Sequence, residues 1–390
     1  MKTLQDIPEL DGVKVLVRVD FNVPVKNGKV ADDFRIRMAL PTIDYLRSKG
    51  AAVILISHIE AAESSKKKGI KEEKPSLEPV VVHLSKLGMA VHFIKDYKKA
   101  FHVIEGENKG SVFLLENLRF FDGEKNNDPK FAKELASLAD IYVNDAFSVS
   151  HREHASVVGV PKYIPAYAGL QFEKEVKNLS RAFDPSHPFL FILGGAKFET
   201  KLPLLKKFMS IADRVFIGGA LANDFYKKNG YETGVSLVSS GDVDLAPFMN
   251  DPKLILPVDV ENQKKEIKQP NKLSKEDKIL DVGPDTLELL KGKIAAAKFI
   301  LWNGPLGLYE DGYCQPTLEL AKMIGEKTEE GKNSGVESIV GGGDTLAAIA
   351  EQGIEDKFTF VSTGGGAMLD FLAQGTLPGI EALNDSSANE

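Results

Sequence analysis

Apolar, mostly β-branched runs recur along the first half of the chain at Val13–Val19, Val53–Ile56, Val91–Ile94, Val112–Leu115 and Ile141–Val143. The second half repeats the pattern at Phe189–Leu193, Arg214–Ile217, Leu254–Leu256, Lys298–Trp302, Ser338–Val340 and Thr359–Val361. Phe189–Leu193 has no apolar/polar alternation, which predicts a strand buried on both faces of a helix-covered parallel sheet. The segments between runs can hold helices, so the pattern predicts an α/β fold with two Rossmann-like domains. Between Lys162 and His187 the rhythm changes. Pro161 and Pro165 bracket a loop, a helical stretch is predicted over Gly169–Phe183, and Asp184-Pro185-Ser186-His187-Pro188 ends it. The domain boundary falls there.

Polar residues cluster just past the predicted strands, at the edge where open α/β sheets bind ligands. In the first half these are Asp20 and Asn22, Ser57 and His58, Asn117 and Arg119, and Asn144 and Asp145. In the second half glycines take these places: Gly194-Gly195, Gly218-Gly219, Gly341 to Gly343 and Gly364 to Gly366. A rim without side chains exposes backbone N–H groups, which suits phosphates. The stretch FLFILGGAKFETK sets Lys197 and Lys201 four apart, on one face of a helix's first turn. Two lysines at the positive end of a helix are unfavourable unless an anion sits there. Taken alone, a turn with two solvated lysines explains the stretch equally well.

Composition narrows the field. A chain of 390 residues exceeds one compact core, so two domains of roughly 180 residues are expected. Its net charge of -7 argues against nucleic acid or an anionic membrane as partner. No apolar run approaches the ~18 residues of a membrane span and the N-terminus lacks a signal core, so a cytoplasmic protein is expected. Cys314 stands alone and is expected to be a packing residue. The lysine-rich Ser64–Lys74 segment is expected as a solvated loop, and Asn384–Glu390 as a frayed tail.

Neither GxxxxGK(S/T) nor GxGxxG occurs. GGGDT, from Gly341 to Thr345, instead ends a strand with glycines and opens a helix with a carboxylate and a hydroxyl. Asp344 can hold Mg²⁺ through water while neighbouring amides meet phosphates, or it can simply cap the helix. Arg35, Arg119 and Arg152, at equivalent strand ends, form candidate forks for a small phosphorylated carboxylate. His151 and His154 lack a third soft ligand and are expected as polar rim residues rather than a zinc site.

RVDFNVP (Arg18–Pro24), ENLRF (Glu116–Phe120), NDAF to HREHAS, ILGGAK, LPVD (Leu256–Asp259), DVGP (Asp281–Pro284), WNGPLG (Trp302–Gly307), GGGDT and VSTGGGA (Val361–Ala367) follow one another along nearly the whole chain. In order and spacing they resemble the phosphoglycerate kinase family. The resemblance implies reversible phosphoryl transfer between 1,3-bisphosphoglycerate and ADP, giving 3-phosphoglycerate and MgATP, by a monomer that binds neither nucleic acid nor membrane. Residues 1–168 would bind the glycerate, 169–187 form the hinge helix, 188–370 bind the nucleotide, and 371–390 return to the first domain. The family's substrate positions fall on Asp20, Phe21, Asn22, Arg35, His58, Arg119 and Arg152. Its phosphate-handling lysines fall on Lys197 and Lys201, its ribose contact on Glu310, and its phosphate and magnesium loop on Gly342, Gly343, Asp344 and Thr345. Gly364, Gly365 and Gly366 would add amide donors. Arg35 and Lys197 would stabilise the transferring phosphoryl group, Lys201 the nucleotide phosphates and Asp344 the Mg²⁺. In-line transfer would follow domain closure.

The chain departs from the family where SHLGRP is replaced by SHIEAA. Ala61 takes the place of an arginine and Glu60 that of a glycine, with Lys66, Lys67 and Lys68 as candidate substitutes. DAFSVSH brings Ser148 and Val149 into the next loop, and Asp370 replaces a glutamate. Two alternatives therefore remain at this stage: a non-catalytic nucleotide-binding relative, and a kinase for a different small carboxylate.

Overall fold

The computed structural model describes residues 1–60, 75–105, 109–196, 198–241 and 243–388. The chain divides into two units, Met1–Lys177 with Thr376–Glu390, and Asn178–Gly375.

The first unit holds β1 (Lys14–Arg18), a hairpin of β2 (Val25–Lys26) and β3 (Lys29–Val30), β4 (Ala52–Ile56), β5 (His92–Ile94), β6 (Val112–Leu115), β7 (Ile141–Asn144) and β8 (Ala166–Ala168). Outside the hairpin these strands form one parallel sheet in the order β5-β6-β4-β1-β7-β8. Val15, Leu16 and Val17 are completely buried, because β1 is central and helices cover both faces. Each such side chain contributes about 1.5–3 kcal/mol as an upper bound. From β1 the chain passes to β4 on one side and returns at β7 on the other. That reversal is the switch point beside which α/β sheets bind ligands.

The second unit holds β9 (Phe189–Leu193), β10 (Arg214–Ile217), β11 (Leu254–Ile255), a small antiparallel sheet of β12 (Val260–Asn262), β13 (Ile267–Lys268) and β14 (Ile279–Val282), then β15 (Phe299–Asn303), β16 (Glu337–Gly341) and β17 (Phe360–Ser362). Its parallel sheet runs β11-β10-β9-β15-β16-β17, with the switch point between β9 and β15. Every residue of β9 is buried. Leu190 and Ile192 join a core with Phe216 and Trp302, while Phe189 meets Phe208 edge to face and Phe191 meets it tilted, at ring separations of 5.8 and 4.9 Å. A strand packed on both faces has no polar position to alternate.

Several expectations are corrected. The Pro161–Pro165 stretch is not a plain loop: it contains the turn Val160–Lys162 and leads into β8, whose Ala-Tyr-Ala sequence has no branched apolar residue. Cys314 is no core residue; it stands partly exposed just before the helix Gln315–Gly331. The tail does not fray from Asn384, because the helix Pro378–Ala388 runs through it, with Leu383 and Ser386 buried. The motifs LPVD and DVGP meet structurally: Asp259 accepts from Thr286 N at 2.8 Å and Asp285 N at 3.0 Å, capping the helix Pro284–Ala296. The Ser64–Lys74 segment and Ala61 lie outside the described residues.

Candidate active site

The rim of the first unit is built at the C-terminal ends of β1, β4, β6 and β7. Just past β1, Asp20 sits low and takes Arg35 Nη1 at 2.9 Å, while Arg35 also donates to Asn22 O at 3.3 Å. Ser148 Oγ donates to the same Asp20 oxygen. Arg35 comes from the first turn of the helix Phe34–Ser48 and keeps about a third of its side chain in solvent. Phe21 puts its side chain in the core, so only its backbone serves the rim, its N–H donating to Ser57 Oγ at 2.9 Å.

A second group surrounds His58, Arg119 and Arg152. Behind them Arg18, which ends β1 and is completely buried, donates to Ser156 Oγ at 2.9 Å, Val19 O at 2.5 Å and His58 Nδ1 at 3.0 Å. Ser156 Oγ donates in turn to the buried Glu124 at 2.6 Å, so the serine relays a counter-charge to the arginine. His58 Nδ1 must accept from a guanidinium. Burial, then Arg18, hold its pKa well below the ordinary value, so the ring is neutral with its proton on Nε2, an atom without a partner among the described residues. His154, 3.3 Å from Arg119 Nη1, is pushed down to about 3 by burial and by Arg119, Arg152 and Arg18. Arg119 itself is nearly buried and its pKa is lowered, first by desolvation. Glu60 Oε1 faces Arg119 Nη2 at 3.6 Å and Arg152 Nη1 at 3.5 Å. Asn117 braces this corner, its amide donating to Ile59 O at 2.8 Å and Pro75 O at 2.7 Å.

The rim of the second unit is made of backbone. At the switch point the loops after β9 and β15 press together: Gly194 N donates to Asn303 O at 2.8 Å and Gly195 N to Pro305 O at 2.9 Å. A Cβ on Gly194 would come within 2.2 Å of Pro305 O, so no larger residue fits. Lys201, in the first turns of the helix Phe198–Ile211, folds its ammonium onto Gly194 O, in space left by Gly195 and Gly304. Its pKa falls to about 8, chiefly through burial, with Asp344 pulling the other way. Asp344 does not cap its helix: Gly342, at φ 108°, is the cap, and the helix Gly343–Gln352 carries Asp344 in its first turn, leaving the carboxylate at the cavity wall. Thr345 is buried and fixes the neighbouring loop by accepting from Gly304 N at 3.0 Å.

A cavity of about 640 Å³ opens beside these groups, lined by Gly195, Gly219, Leu237, Asp281, Leu308, Glu310 and Asp344 among others. Glu310 lies at its exposed lip. Gly366 opens the helix Gly366–Gln374 behind Gly365 at φ 52°, while the amide of Gly364 already donates to Ser362 Oγ at 3.1 Å. Lys197 lies outside the described residues. The structure thus brings the nucleotide candidates Glu310 and Asp344 to the wall of one largely apolar cavity, with Lys201 held close to Asp344 behind the Gly194–Gly195 turn.

Three residues that brace or line these rims carry no assigned role in the sequence reading. Arg18 sits inside an apolar run, where a charge suggests an exposed position. Ser148 is marked in the sequence only as a departure within DAFSVSH, and its partner Asp20 is 128 residues away. Asp281, the next-to-last residue of β14, packs against Gly307, and burial raises its pKa to about 8, which favours a neutral carboxyl in the cavity wall. A charge interrupting an otherwise unbroken strand is the signal that marks the first and the last.

The chain was compared with known proteins. The sequence model described as phosphoglycerate kinase matches residues 4–375. The chain is 45% identical over 404 residues to the phosphoglycerate kinase of Dictyoglomus turgidum, covering 98% of this chain and 99% of that one. It is 43% identical over 402 residues to that of Thermosipho africanus, covering 98% and 97%. Among solved structures, phosphoglycerate kinase from Coxiella burnetii superposes with a TM-score of 0.83 at 37% identity, covering 98% of each chain. That from Pyrococcus horikoshii gives 0.83 at 31% identity, covering 100% of each.

Proposed function

The chain belongs to the phosphoglycerate kinase family, a phosphotransferase with a carboxyl group as acceptor, and from that premise we propose how its residues divide the reaction. The non-catalytic alternative is not favoured. Arg35, Arg119 and Arg152 hold 3-phosphoglycerate or 1,3-bisphosphoglycerate, with Asp20, Asn22 and the neutral His58 fixing its hydroxyl and acid groups. Neutral imidazole suits this task, since His58 and His154 donate or accept without adding charge. Lys201 meets the nucleotide phosphates, the glycine amides share the load, and Glu310 reaches the ribose.

Mg²⁺ enters as a partner of the nucleotide. Among the described residues no group of three His, Cys, Asp or Glu side chains gathers for a metal. Asp344 alone, beside Lys201 at the cavity wall, fits the way this ion binds, through one carboxylate, phosphate oxygens and water. Bound there, the ion would neutralise charge on the phosphates. The protein's own share is to hold Lys201 protonated near them, orient the amides and exclude water.

The two substrates are assigned to different units, so transfer requires closure, about the 162–188 segment. X-ray scattering that shows no compaction with both substrates bound would remove that step. The enzyme is taken to be a cytoplasmic monomer; no helix among the described residues is long and apolar enough to cross a membrane.

The observation that carries the assignment is the Lys201 ammonium, folded onto the glycine turn after β9 and close enough to feel Asp344 at the wall of the adjoining cavity. It is tested by ATP-dependent phosphorylation of 3-phosphoglycerate with Mg²⁺, beside Lys201→Ala. Turnover lost in the variant supports it, and turnover unaffected by the variant refutes it.

A further inference from the structure

Within the arginine rim one carboxylate has no structural duty. Glu124 shares Ser156 with Arg18, and Asp20 anchors Arg35. The Glu60 side chain is 42% exposed, yet a single oxygen stands 3.6 Å from Arg119 and 3.5 Å from Arg152. Both separations are longer than a charge-assisted hydrogen bond, so neither guanidinium is saturated. Arg119 Nε has no partner among the described residues. The backbone beneath Glu60 is fixed, its N–H donating to Asn22 Oδ1 at 2.9 Å and the preceding Ile59 held by Asn117. The side chain is therefore tethered at the fork while remaining able to swing into solvent.

We propose that Glu60 is a built-in competitor for the acidic substrate, its carboxylate holding the Arg119–Arg152 fork until a stronger anion displaces it. The inference rests on reading this rim as the glycerate site. With Arg18 compensated through Ser156 and the histidines neutral, the fork carries two positive charges facing one exposed carboxylate. An incoming anion must break both contacts and then tolerate the displaced charge nearby. A doubly charged phosphate gains more from two guanidiniums than a carboxylate does and can prevail; a singly charged acid matches Glu60 and cannot. Glu60 thus raises the charge that a substrate must carry.

The test compares wild type with Glu60→Gln, which keeps shape and removes charge, and with Glu60→Ala, which removes the side chain. Binding of 3-phosphoglycerate is measured by calorimetry and turnover by steady-state kinetics. Both variants are expected to bind about tenfold more tightly, equivalent to about 1.4 kcal/mol, with the gain appearing in KM. Unphosphorylated glycerate, as an inhibitor, should gain at least as much. A gain under threefold, or a weakening in both variants, overturns the competitor. A wild type that neither binds nor phosphorylates 3-phosphoglycerate overturns the underlying reading of the site instead.

Discussion

The two units carry the same architecture, a six-stranded parallel sheet with its candidate site at the switch point, yet they equip that edge in opposite ways. The first uses long cationic side chains set against counter-charges or polar relays: Arg35 is held by Asp20 and Arg18 by Ser156 and Glu124, while Arg119 and Arg152 face Glu60 at 3.6 and 3.5 Å. The second removes side chains and lets backbone loops touch, with Lys201 threaded through the gap. An arginine rim offers planar recognition of a small acid but needs partners to keep it in place. A glycine rim is rigid by close approach and reads only phosphate charge and shape. The difference predicts that the first rim fails gradually, one contact at a time, and the second fails sterically.

Four experiments sharpen or break that contrast. The largest effect is expected for Lys201→Ala, which removes the buried ammonium held on Gly194 O beside Asp344; kcat should fall about 10²–10³-fold, read from initial rates. Next, Arg35→Ala should raise KM for 3-phosphoglycerate about 10–100-fold, the worth of a hydrogen bond between charged groups, and leave MgATP binding unaltered by calorimetry. Gly304→Ala attacks the glycine rim: φ is 93°, and the new Cβ would lie 2.6 Å from Gly194 O and 2.9 Å from Lys201 Nζ. Strain of about 1–3 kcal/mol should lower the melting temperature of the second unit and weaken MgATP about tenfold. Equal sensitivity of 3-phosphoglycerate binding to this change would break the contrast. The smallest effect is in pH. The Lys201 ammonium, with its pKa near 8, is charged below that value and neutral above it. Nucleotide affinity should therefore fall severalfold as pH rises from about 7 to about 9, and Lys201→Arg should flatten the profile.

Much of the scaffold was legible because burial on both faces leaves a strand nowhere to place polar residues. Phe189–Leu193 is the clearest example, its five side chains divided between two cores. β8 and β13 were not legible because neither carries a run of branched apolar residues: β8 is Ala-Tyr-Ala between Pro165 and Gly169, and β13 is Ile267–Lys268 beside Glu266. Strand order was hidden too, since periodicity does not say which strands pair. In the sites, residues flanking strands were found because their position alone implies an edge. What sequence could not supply was partnership. Arg18 has no partner in the sequence until His58 and Ser156 are seen around it, and the choice between cap and magnesium carboxylate for Asp344 stays open until Gly342 takes the cap. Both depend on contacts between residues far apart in the chain or on a glycine's left-handed backbone.

The helix Pro378–Ala388 groups with the first unit, although the whole second unit precedes it in the chain, and Gly379 N donates to Ser150 O at 2.9 Å. Considered as a sequence of events on the ribosome, this places a clock in the fold. At about 5–20 residues per second, all of Asn178–Gly375 emerges in roughly 10–40 seconds while the first unit still lacks its closing helix. During that interval the seat of the helix, around Val157 and Val158, stands open, and the second unit is complete first. The nascent first unit is thus the stage of synthesis most exposed to chaperones and proteases, and truncation before Thr376 should release a folded second unit joined to an unfinished first.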